Sequence, residues 1–200
     1  MKLISWNLLH KDGASLGELA RLVERERPDL VLLQEATEAF AGLVALQGGS
    51  FWREPLPGRR HGLAVWSPQP GLPPPAVVVL PAGTVVRRVC QIVSLGDVCI
   101  ANVHLSHGQV LNRRQLRFIA AILPPHAAII GDMNMVGPAW LPGFHEAGPQ
   151  HRTHRMSKFV PLRLDRCLVR GLTGRACEIH TRGGSDHHPI SVTLAAAAQR

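Results

Sequence analysis

The first part of the chain combines a short apolar run with a segment of helical spacing. Residues 2–6 form a mainly apolar run and predict a strand that ends at Asn7. Ser15 precedes Glu18 by three residues, which is the spacing of a capping box, and apolar residues then recur at helical intervals. Pro28 disfavours helical conformation in the residue before it. The pattern therefore predicts a strand and then a helix that ends before this proline.

A second apolar run follows the predicted helix. Residues 30–33 have the length of a strand and lead into Gln34 and Glu35. A strand, a helix and a strand in succession indicate two parallel strands joined by a crossover helix. The carboxyl ends of such strands lie at the same edge of a sheet, where open sheets collect ligands. We therefore expect Asn7 and Glu35 at one edge.

Most of the remaining chain also predicts strands. A second helix is expected over residues 37–46 and a third, with a basic face, over residues 111–123. The five prolines of residues 67–75 predict a loop rather than a linker, because strands resume on both sides, so residues 1–200 are expected to form a single domain. Residues 137–163 are predicted to be irregular. Further strands are predicted at residues 51–52, 62–66, 85–95, 98–103, 127–130, 163–169, 176–180 and 190–194.

Composition and charge narrow the class of protein. With 200 residues, 46% hydrophobic and 18% charged, the chain is globular rather than disordered and can bury a substantial core. Its formal net charge is +8, from 22 basic and 14 acidic residues, and its pI is about 10.6. This balance favours encounter with a polyanion, such as nucleic acid or an anionic lipid surface.

Cysteine and histidine spacing gives no sign of a zinc-binding module. His145, His151 and His154 lack a compact ligand spacing, and the four cysteines form neither a CxxC pair nor a zinc ribbon. The cysteines are expected to be buried, reduced thiols, which suits the cytosol. The start of the chain does not resemble a signal peptide, and no apolar run is long enough to cross a bilayer. We therefore expect a cytoplasmic protein, and we infer no obligate protein partner.

The most informative stretch for function is IIGDMNM, residues 129–135. Its apolar run ends at Gly131, which allows a sharp turn or the close approach of a ligand. Asp132 and Asn134 follow two positions apart and are expected to project from the same side of the sheet edge. The alternative is an Asx turn built by the same two residues. Four further stretches supply the other polar groups: ISWN, LLQE, NVHL and GSDHHPI.

These polar groups suit the hydrolysis of a phosphodiester. Asn7, Glu35 and Asp186 are hard oxygen donors of the kind that hold Mg²⁺, and Mn²⁺ is a possible substitute. Asp132 is suited to activating the attacking water. Asn134 can donate a hydrogen bond to a phosphate oxygen without adding charge.

Histidine and arginine side chains supply the remaining candidates. His187 can donate to a non-bridging phosphate oxygen, with Asp165 fixing its tautomer. His104 is a candidate for stabilising the transition state or assisting the leaving group. Arg60, in a basic loop, and Arg113, on the basic helix face, are candidate contacts for substrate phosphates. Solvated surface positions are the alternative for both arginines.

Six motifs, taken in order, resemble the endonuclease/exonuclease/phosphatase superfamily: ISWN, LLQE, NVHL, GDMN, RLDR and GSDHHPI. That family includes pancreatic-type deoxyribonucleases, apurinic-site endonucleases, neutral sphingomyelinases and inositol polyphosphate 5-phosphatases. The resemblance implies a four-layer α/β/β/α sandwich with two central, mostly antiparallel mixed β-sheets. It also implies divalent-metal-dependent cleavage of phosphoesters. The matching positions that take the family roles are Asn7, Glu35, His104, Asp132, Asn134, Asp165, Asp186 and His187.

Departures from the motifs help to choose among the branches. The chain has no tyrosine, so the tyrosine that apurinic-site endonucleases place near the phosphate is absent. His104 in NVHL resembles the histidine of the deoxyribonuclease and sphingomyelinase branches. Met135 and Val136 follow Asn134, where the 5-phosphatase branch carries Tyr-Arg. At this length the chain also lacks room for the family's long substrate-recognition insertions.

Three functions are compatible with the sequence. The first is a Mg²⁺-dependent nuclease acting on DNA or RNA, favoured by the polar set together with the basic charge. The second is a phosphatase or phosphodiesterase of a lipid or small molecule, such as a phosphoinositide or a sphingomyelin-like head group. The third is a nucleic-acid-binding protein without catalysis, against which the complete polar set argues.

Overall fold

The computed structural model describes residues 1–83, 86–156 and 160–197. These residues contain two six-stranded sheets, a two-stranded ribbon and three α-helices. The helices are α1 (Leu16–Glu26), α2 (Leu43–Gln47) and α3 (Gln109–Ile122). The first seven strands are β1 (Lys2–Asn7), β2 (Leu30–Ala36), β3 (Ser50–Pro55), β4 (Gly62–Ser67), β5 (Ala76–Val79), β6 (Val89–Leu95) and β7 (Val98–His104). The others are β8 (Ala127–Asp132), β9 (His145–Glu146), β10 (His154–Met156), β11 (Val160–Leu162), β12 (Asp165–Arg170), β13 (Leu172–Ile179) and β14 (Ile190–Ala196).

Both large sheets are built around one parallel pair of strands. The first sheet has the order β13-β14-β1-β2-β4-β3, and the second has the order β5-β6-β7-β8-β12-β9. The parallel pairs are β1 with β2 and β7 with β8, and every other pairing in the two sheets is antiparallel. Helix α1 connects the first parallel pair and α3 connects the second. The expected mostly antiparallel mixed sheets are therefore confirmed.

Packing against both faces of each sheet explains the continuous apolar runs. In β1, Leu3 packs into the core between the two sheets, whereas Ile4 packs against α1 on the outer face. In β8, Ile130 faces the core between the sheets and Ile129 packs against α3. Because successive side chains of a strand point to opposite faces, a strand buried on both sides must be apolar throughout. The layers are helix, sheet, sheet and helix, as expected.

One buried polar network crosses between the sheets. The side-chain amide of Asn102, on β7, donates to the carbonyl oxygens of Leu33 at 3.1 Å and Ala64 at 3.0 Å, which belong to the first sheet. It also donates to Gln91 Oε1 at 3.2 Å, and its own Oδ1 accepts from Gln34 Nε2 at 2.8 Å. Asn102 and Gln34 have no exposed surface. These bonds compensate the cost of burying two amides.

The N-terminus of α1 has the predicted capping box. Ser15 Oγ accepts a hydrogen bond from the backbone N–H of Glu18 at 3.3 Å, and Glu18 Oε2 accepts from the backbone N–H of Ser15 at 2.7 Å. We expect Ser15→Ala to lower the free energy of unfolding by about 1 kcal/mol, because one helix N–H loses its acceptor. Urea unfolding measures this loss. Ser94→Ala, at an exposed strand position, is the control and is expected to change stability by less than about 0.5 kcal/mol.

The second predicted helix is divided in the structure. A 3₁₀ segment, Glu38–Gly42, precedes the five-residue helix α2, and Gly42 lies at their junction. Phe40 and Leu43 are buried on either side of that junction, so packing decides the path where glycine weakens the helix. The predicted irregular stretch contains β9, β10 and β11. Residue 85, where a strand was predicted to start, lies outside the described residues, and β6 starts at Val89.

Two further expectations from the sequence concern the burial of the cysteines and the absence of a membrane-spanning segment. All four cysteines are free thiols, but only Cys90 and Cys167 are buried, while Cys99 is half-buried and Cys177 is exposed. The prediction of buried thiols is therefore wrong for two of them. Among the helices of the described residues, none combines the length and the apolar character that crossing a bilayer requires.

Candidate active site

A polar cleft of about 480 Å³ lies where the two sheets meet at one edge. The first sheet contributes the ends of β1 and β2 and the loop before β14, and the second contributes the ends of β7 and β8. Seven of the residues predicted from the sequence line this cleft: Asn7, Glu35, His104, Asp132, Asn134, Asp186 and His187. Side chains that are far apart in the chain are therefore brought together.

The carboxylate of Asp132 lies close to four other residues of the cleft. Its Oδ1 accepts from the backbone N–H of Asn134 at 2.9 Å, so the two residues do form the Asx turn. Its Oδ2 accepts from Asn7 Nδ2 at 3.0 Å. The Nε2 atoms of His104 and His187 lie 3.4 Å and 3.7 Å from the same oxygen. One carboxylate oxygen therefore fixes the turn, while the other faces both sheets.

His187 is held in place from behind by Asp165. His187 Nδ1 lies 2.8 Å from Asp165 Oδ2, and Asp165 is fully buried, behind the cleft rather than in its lining. The backbone N–H of Asp165 donates to Thr153 Oγ1 at 2.9 Å, and that of His187 donates to Ser185 Oγ at 3.0 Å. These contacts fix the ring so that Nε2 faces Asp132.

Burial and neighbouring charges shift the pKa values of the central groups. Burial raises the pKa of Asp132 above its ordinary value, and the charge of Asp165 raises it further. Burial alone would lower the pKa of His187, but the carboxylates of Asp165 and Asp132 outweigh it and raise this pKa to about 10. Burial, and then the charge of Arg88, lowers the pKa of His104 well below its usual value. At neutral pH the cleft therefore contains a charged His187 and a neutral His104.

Oxygen donors that suit a divalent cation lie in the same cleft. Asp186 Oδ1 is buried and has no hydrogen-bond partner among the described residues, and its Oδ2 lies 3.3 Å from His154 Nε2. The hydrogen bond from His154 lowers the pKa of Asp186. Burial raises the pKa of Glu35, but hydrogen bonds from His10 outweigh it, and the pKa is lowered. These two carboxylates line the same cleft as the Asn7 amide, and oxygen donors of this kind suit Mg²⁺ or Mn²⁺.

The predicted substrate contacts have different surroundings. Asn134 adopts a left-handed conformation with φ of 47°, and its side-chain amide donates to the Leu105 carbonyl oxygen at 2.9 Å. Arg113 donates to Gln109 and to the Val136 carbonyl oxygen, both on the cleft wall. Arg60 is exposed and does not line the cleft.

Several residues were not predicted from the sequence, among them His154, which lines the cleft, and Arg88, which lines an adjacent pocket with Ser106 and His107. Arg88 is only 6% exposed, and its Nε has no hydrogen-bond partner among the described residues. Burial lowers the pKa of its guanidinium, whereas the carboxylates of Asp132 and Glu35 raise it. His154 contacts Asp186 although 32 residues separate them in the chain. No spacing in the sequence indicates either position.

Solved structures with the same fold are found among proteins of low sequence identity. A functionally unknown conserved protein from Enterococcus faecalis is 15% identical, with a TM-score of 0.76 over 98% of this chain and 100% of that one. TDP2 from Caenorhabditis elegans is 20% identical, with a TM-score of 0.75 over 98% of this chain and 74% of that one. Danio rerio TDP2, solved in complex with a single-strand DNA product, is 16% identical, with a TM-score of 0.73 over 98% of both chains.

The family assignment rests on a match between the sequence and a model of a protein family. No curated protein matches the sequence. The model described as "Endonuclease/Exonuclease/phosphatase family" matches residues 4–187, nearly the whole chain. Members of this family are hydrolases that act on phosphoester bonds and use divalent metals. The match includes all eight polar positions from Asn7 to His187 that the motifs had indicated. The chain belongs to the endonuclease/exonuclease/phosphatase family.

Proposed function

We propose that the protein is a divalent-metal-dependent phosphodiesterase that hydrolyses nucleic acid. The observation that carries this proposal is the position of Asp132. Its Oδ2 accepts from Asn7 Nδ2 at 3.0 Å and lies 3.7 Å from the Nε2 of a charged His187, whose other nitrogen contacts Asp165. A buried carboxylate beside a fixed imidazolium is suited to accept a proton while charge develops on a phosphate.

Each of these side chains has a distinct part in the proposed reaction. Asp132 takes a proton from the attacking water. Its pKa is raised towards neutral pH, where a carboxylate is a more effective general base. His187 donates from Nε2 to a non-bridging phosphate oxygen, and Asp165 keeps it oriented and charged. His104, which is neutral, donates a hydrogen bond to the departing oxygen.

Asn7, Glu35 and Asp186 would hold the divalent ion. A bound Mg²⁺ would neutralise phosphate charge and stabilise the departing oxygen. Two observations support this assignment. Asp186 Oδ1 has no hydrogen-bond partner among the described residues, and the lowered pKa values of Glu35 and Asp186 favour the ionised carboxylates. Asn134 is proposed to donate the second hydrogen of its side-chain amide to the phosphate, since one hydrogen is bonded to Leu105.

A nucleic acid substrate is supported by charge and by one neighbouring structure. The net charge of +8 draws a polyanion towards a cleft that itself contains carboxylates. Arg113, which does not line the cleft but is hydrogen-bonded to Gln109 and Val136 of its wall, and Arg60, in an exposed loop, are proposed to contact backbone phosphates. The single-strand DNA product in the Danio rerio TDP2 structure shows that this fold accommodates such a molecule in another protein.

Metal removal tests the proposal. We expect the purified chain to cleave labelled DNA or RNA oligonucleotides with Mg²⁺ or Mn²⁺. When EDTA removes the ion, the cleavage rate is expected to fall by about 10²-fold or more. Asp186→Asn is expected to raise the Mg²⁺ concentration for half-maximal rate by about tenfold or more, because one ligand loses its charge. Asp12→Asn, at an exposed position, is the control. Full cleavage without a divalent ion would contradict the proposal.

A lipid phosphoester is the second candidate substrate. Val136 lines the cleft and is 55% exposed, and Val110 near the same wall is 85% exposed. Exposed apolar side chains beside a phosphoester site suit an aliphatic group. Vesicles that contain phosphatidylinositol phosphates or sphingomyelin belong in the same assay. Turnover of a vesicle lipid without oligonucleotide cleavage would favour this candidate over a nuclease.

A further inference from the structure

A second pocket, of about 380 Å³, lies beside the cleft. It is formed by the segment that leads into β6 and by the loop that leads into α3. The first segment contributes Val86 and Arg88, and the second contributes Ser106, His107, Gly108 and Leu111. Because His107 also lines the cleft, the two spaces are adjacent. A substrate that occupies the cleft can therefore extend into the second pocket.

Arg88 brings a buried positive charge to this pocket. It is only 6% exposed, and among the described residues its Nε has no hydrogen-bond partner and its guanidinium makes no ion pair. Burial lowers the pKa of the guanidinium, and the carboxylates of Asp132 and Glu35 raise it only through their charge. A charge in a protein interior is costly unless a counter-charge and hydrogen bonds compensate it. This guanidinium is therefore suited to pair with an anion that the protein binds.

The loop before α3 adds two groups that suit the same anion. Ser106 Oγ accepts a hydrogen bond from Gln115 Nε2 at 3.1 Å, and a hydroxyl oxygen that accepts in this way can still donate its own hydrogen. Gly108 is the N-cap of the 14-residue helix α3, so no side chain caps the first N–H groups, and the first turn has no acidic residue. A helix N-terminus has a partial positive charge and attracts anions.

We propose that this pocket binds a phosphate group of the substrate other than the one that is cleaved. Guanidinium, hydroxyl and helix N–H groups are all donors that phosphate oxygens accept from. Val86 and Leu111 complete the lining with apolar carbon, which suits the sugar attached to a phosphate. In a nucleic acid, the phosphate next to the scissile one can take this place. Its binding would fix the position of the strand along the cleft.

The source of this phosphate rests on the proposed function, whereas the affinity of the pocket for phosphate does not. A neighbouring phosphate of a nucleic acid strand is one source, and a free phosphate ester is the other. Both present the same oxygens to Arg88 and Ser106. Binding experiments without catalysis distinguish the two sources.

Oligonucleotide binding in EDTA is the first test. The full chain is titrated against labelled single strands by fluorescence anisotropy, and in each strand one phosphate is replaced by an uncharged methylphosphonate. At one position, we expect the replacement to weaken binding to the parent by about tenfold or more, because a charged hydrogen-bonded contact is lost. The same replacement is expected to change binding to Arg88→Met by less than about twofold, since that contact is already absent.

Salt dependence and a matched variant support the comparison. Loss of one phosphate contact is expected to reduce the slope of log affinity against log salt by about 0.7 for a single strand, so Arg88→Met should have the shallower slope. Arg175→Met removes the same charge at an exposed position of β13 and is expected to keep the parental response to each methylphosphonate. If the parent and Arg88→Met respond equally at every position, the inference is wrong.

Thermal melting with small phosphates is the second test. Inorganic phosphate and thymidine 5′-monophosphate, added in EDTA, are expected to raise the Tm of the parent but not of Arg88→Met, because only a bound ligand stabilises the native state. Circular dichroism establishes that the variant is folded. Ser106→Ala is the milder change, expected to reduce the Tm shift, and it serves for the comparison if Arg88→Met does not fold. Equal Tm shifts in the parent and in the folded variants would overturn the inference.

The two tests together separate this inference from the proposed function. A Tm shift that depends on Arg88, in a protein that neither binds nor cleaves oligonucleotides, would support the phosphate pocket with a free ester as its ligand and would contradict a nuclease. Cleavage of oligonucleotides with no effect of Arg88→Met in either test would contradict the pocket alone.

Discussion

Asp132→Asn is expected to lower the rate of oligonucleotide cleavage by about 10³-fold or more at saturating Mg²⁺. The amide has nearly the same shape as the carboxylate but cannot take a proton from water. It also removes one of the three negative charges that raise the pKa of His187, those of Asp165, Asp132 and Asp186, so the imidazolium that faces the substrate phosphate is less strongly favoured. Single-turnover rates on a labelled oligonucleotide measure the effect on the chemical step.

The control for this variant is Asp97→Asn, an exposed residue of the turn between β6 and β7. It changes the net charge by the same amount and is expected to leave the rate unchanged. Thermal melting establishes that both variants are folded. Asp132→Asn protein that is folded and cleaves at the parental rate would exclude Asp132 as the base and remove the main support for the proposed mechanism.

The second large effect is expected on stability. Gly131 has φ of 142°, and a Cβ at this position would lie 2.1 Å from the carbonyl oxygen of Val103 on the neighbouring strand. A backbone atom cannot move aside without shifting β7 against β8. We therefore expect Gly131→Ala to lower the free energy of unfolding by about 3 kcal/mol or more, because strain and overlap add. Urea unfolding measures it.

Gly96→Ala separates the two causes. Gly96 also has a positive φ, of 61°, but a Cβ there would meet nothing within 4 Å. This variant is expected to lose only about 1 kcal/mol, which is the cost of the left-handed conformation. If Gly131→Ala is no less stable than Gly96→Ala, then the close approach of Val103 has no energetic consequence.

The sequence predicted most of the strands, though not β5, β9, β10 or β11, and it predicted the position of the polar groups for a simple physical reason. Runs such as residues 30–33 are buried on both faces, so their apolar character is continuous and ends where the sheet ends. Asn7, Glu35 and Asp132 follow such runs and therefore lie at the sheet edge. For Gly131, the sequence predicted a sharp turn or the close approach of a ligand, whereas the group that approaches it is the backbone of Val103 on β7.

Contacts between distant loops were not predictable in this way. His61 meets His10 because the loop before β4 folds over the end of β1, and no periodicity in the sequence encodes that approach. Arg88 lies in a segment without regular structure, and nothing in the residues around it indicates that it is buried. Such placements follow from the tertiary structure as a whole, which the local patterns do not specify.

The buried amide of Asn102 has a consequence for the geometry of catalysis. Apolar layers alone tolerate small sliding movements, because dispersion contacts have little directional preference. Hydrogen bonds from Asn102 to Leu33 and Ala64 are directional, and shifting one sheet past the other would break them inside a dry core. The two sheets are therefore locked in mutual alignment only a few residues from their shared edge. Ligands from one sheet and the base from the other should keep their relative positions without help from a bound substrate.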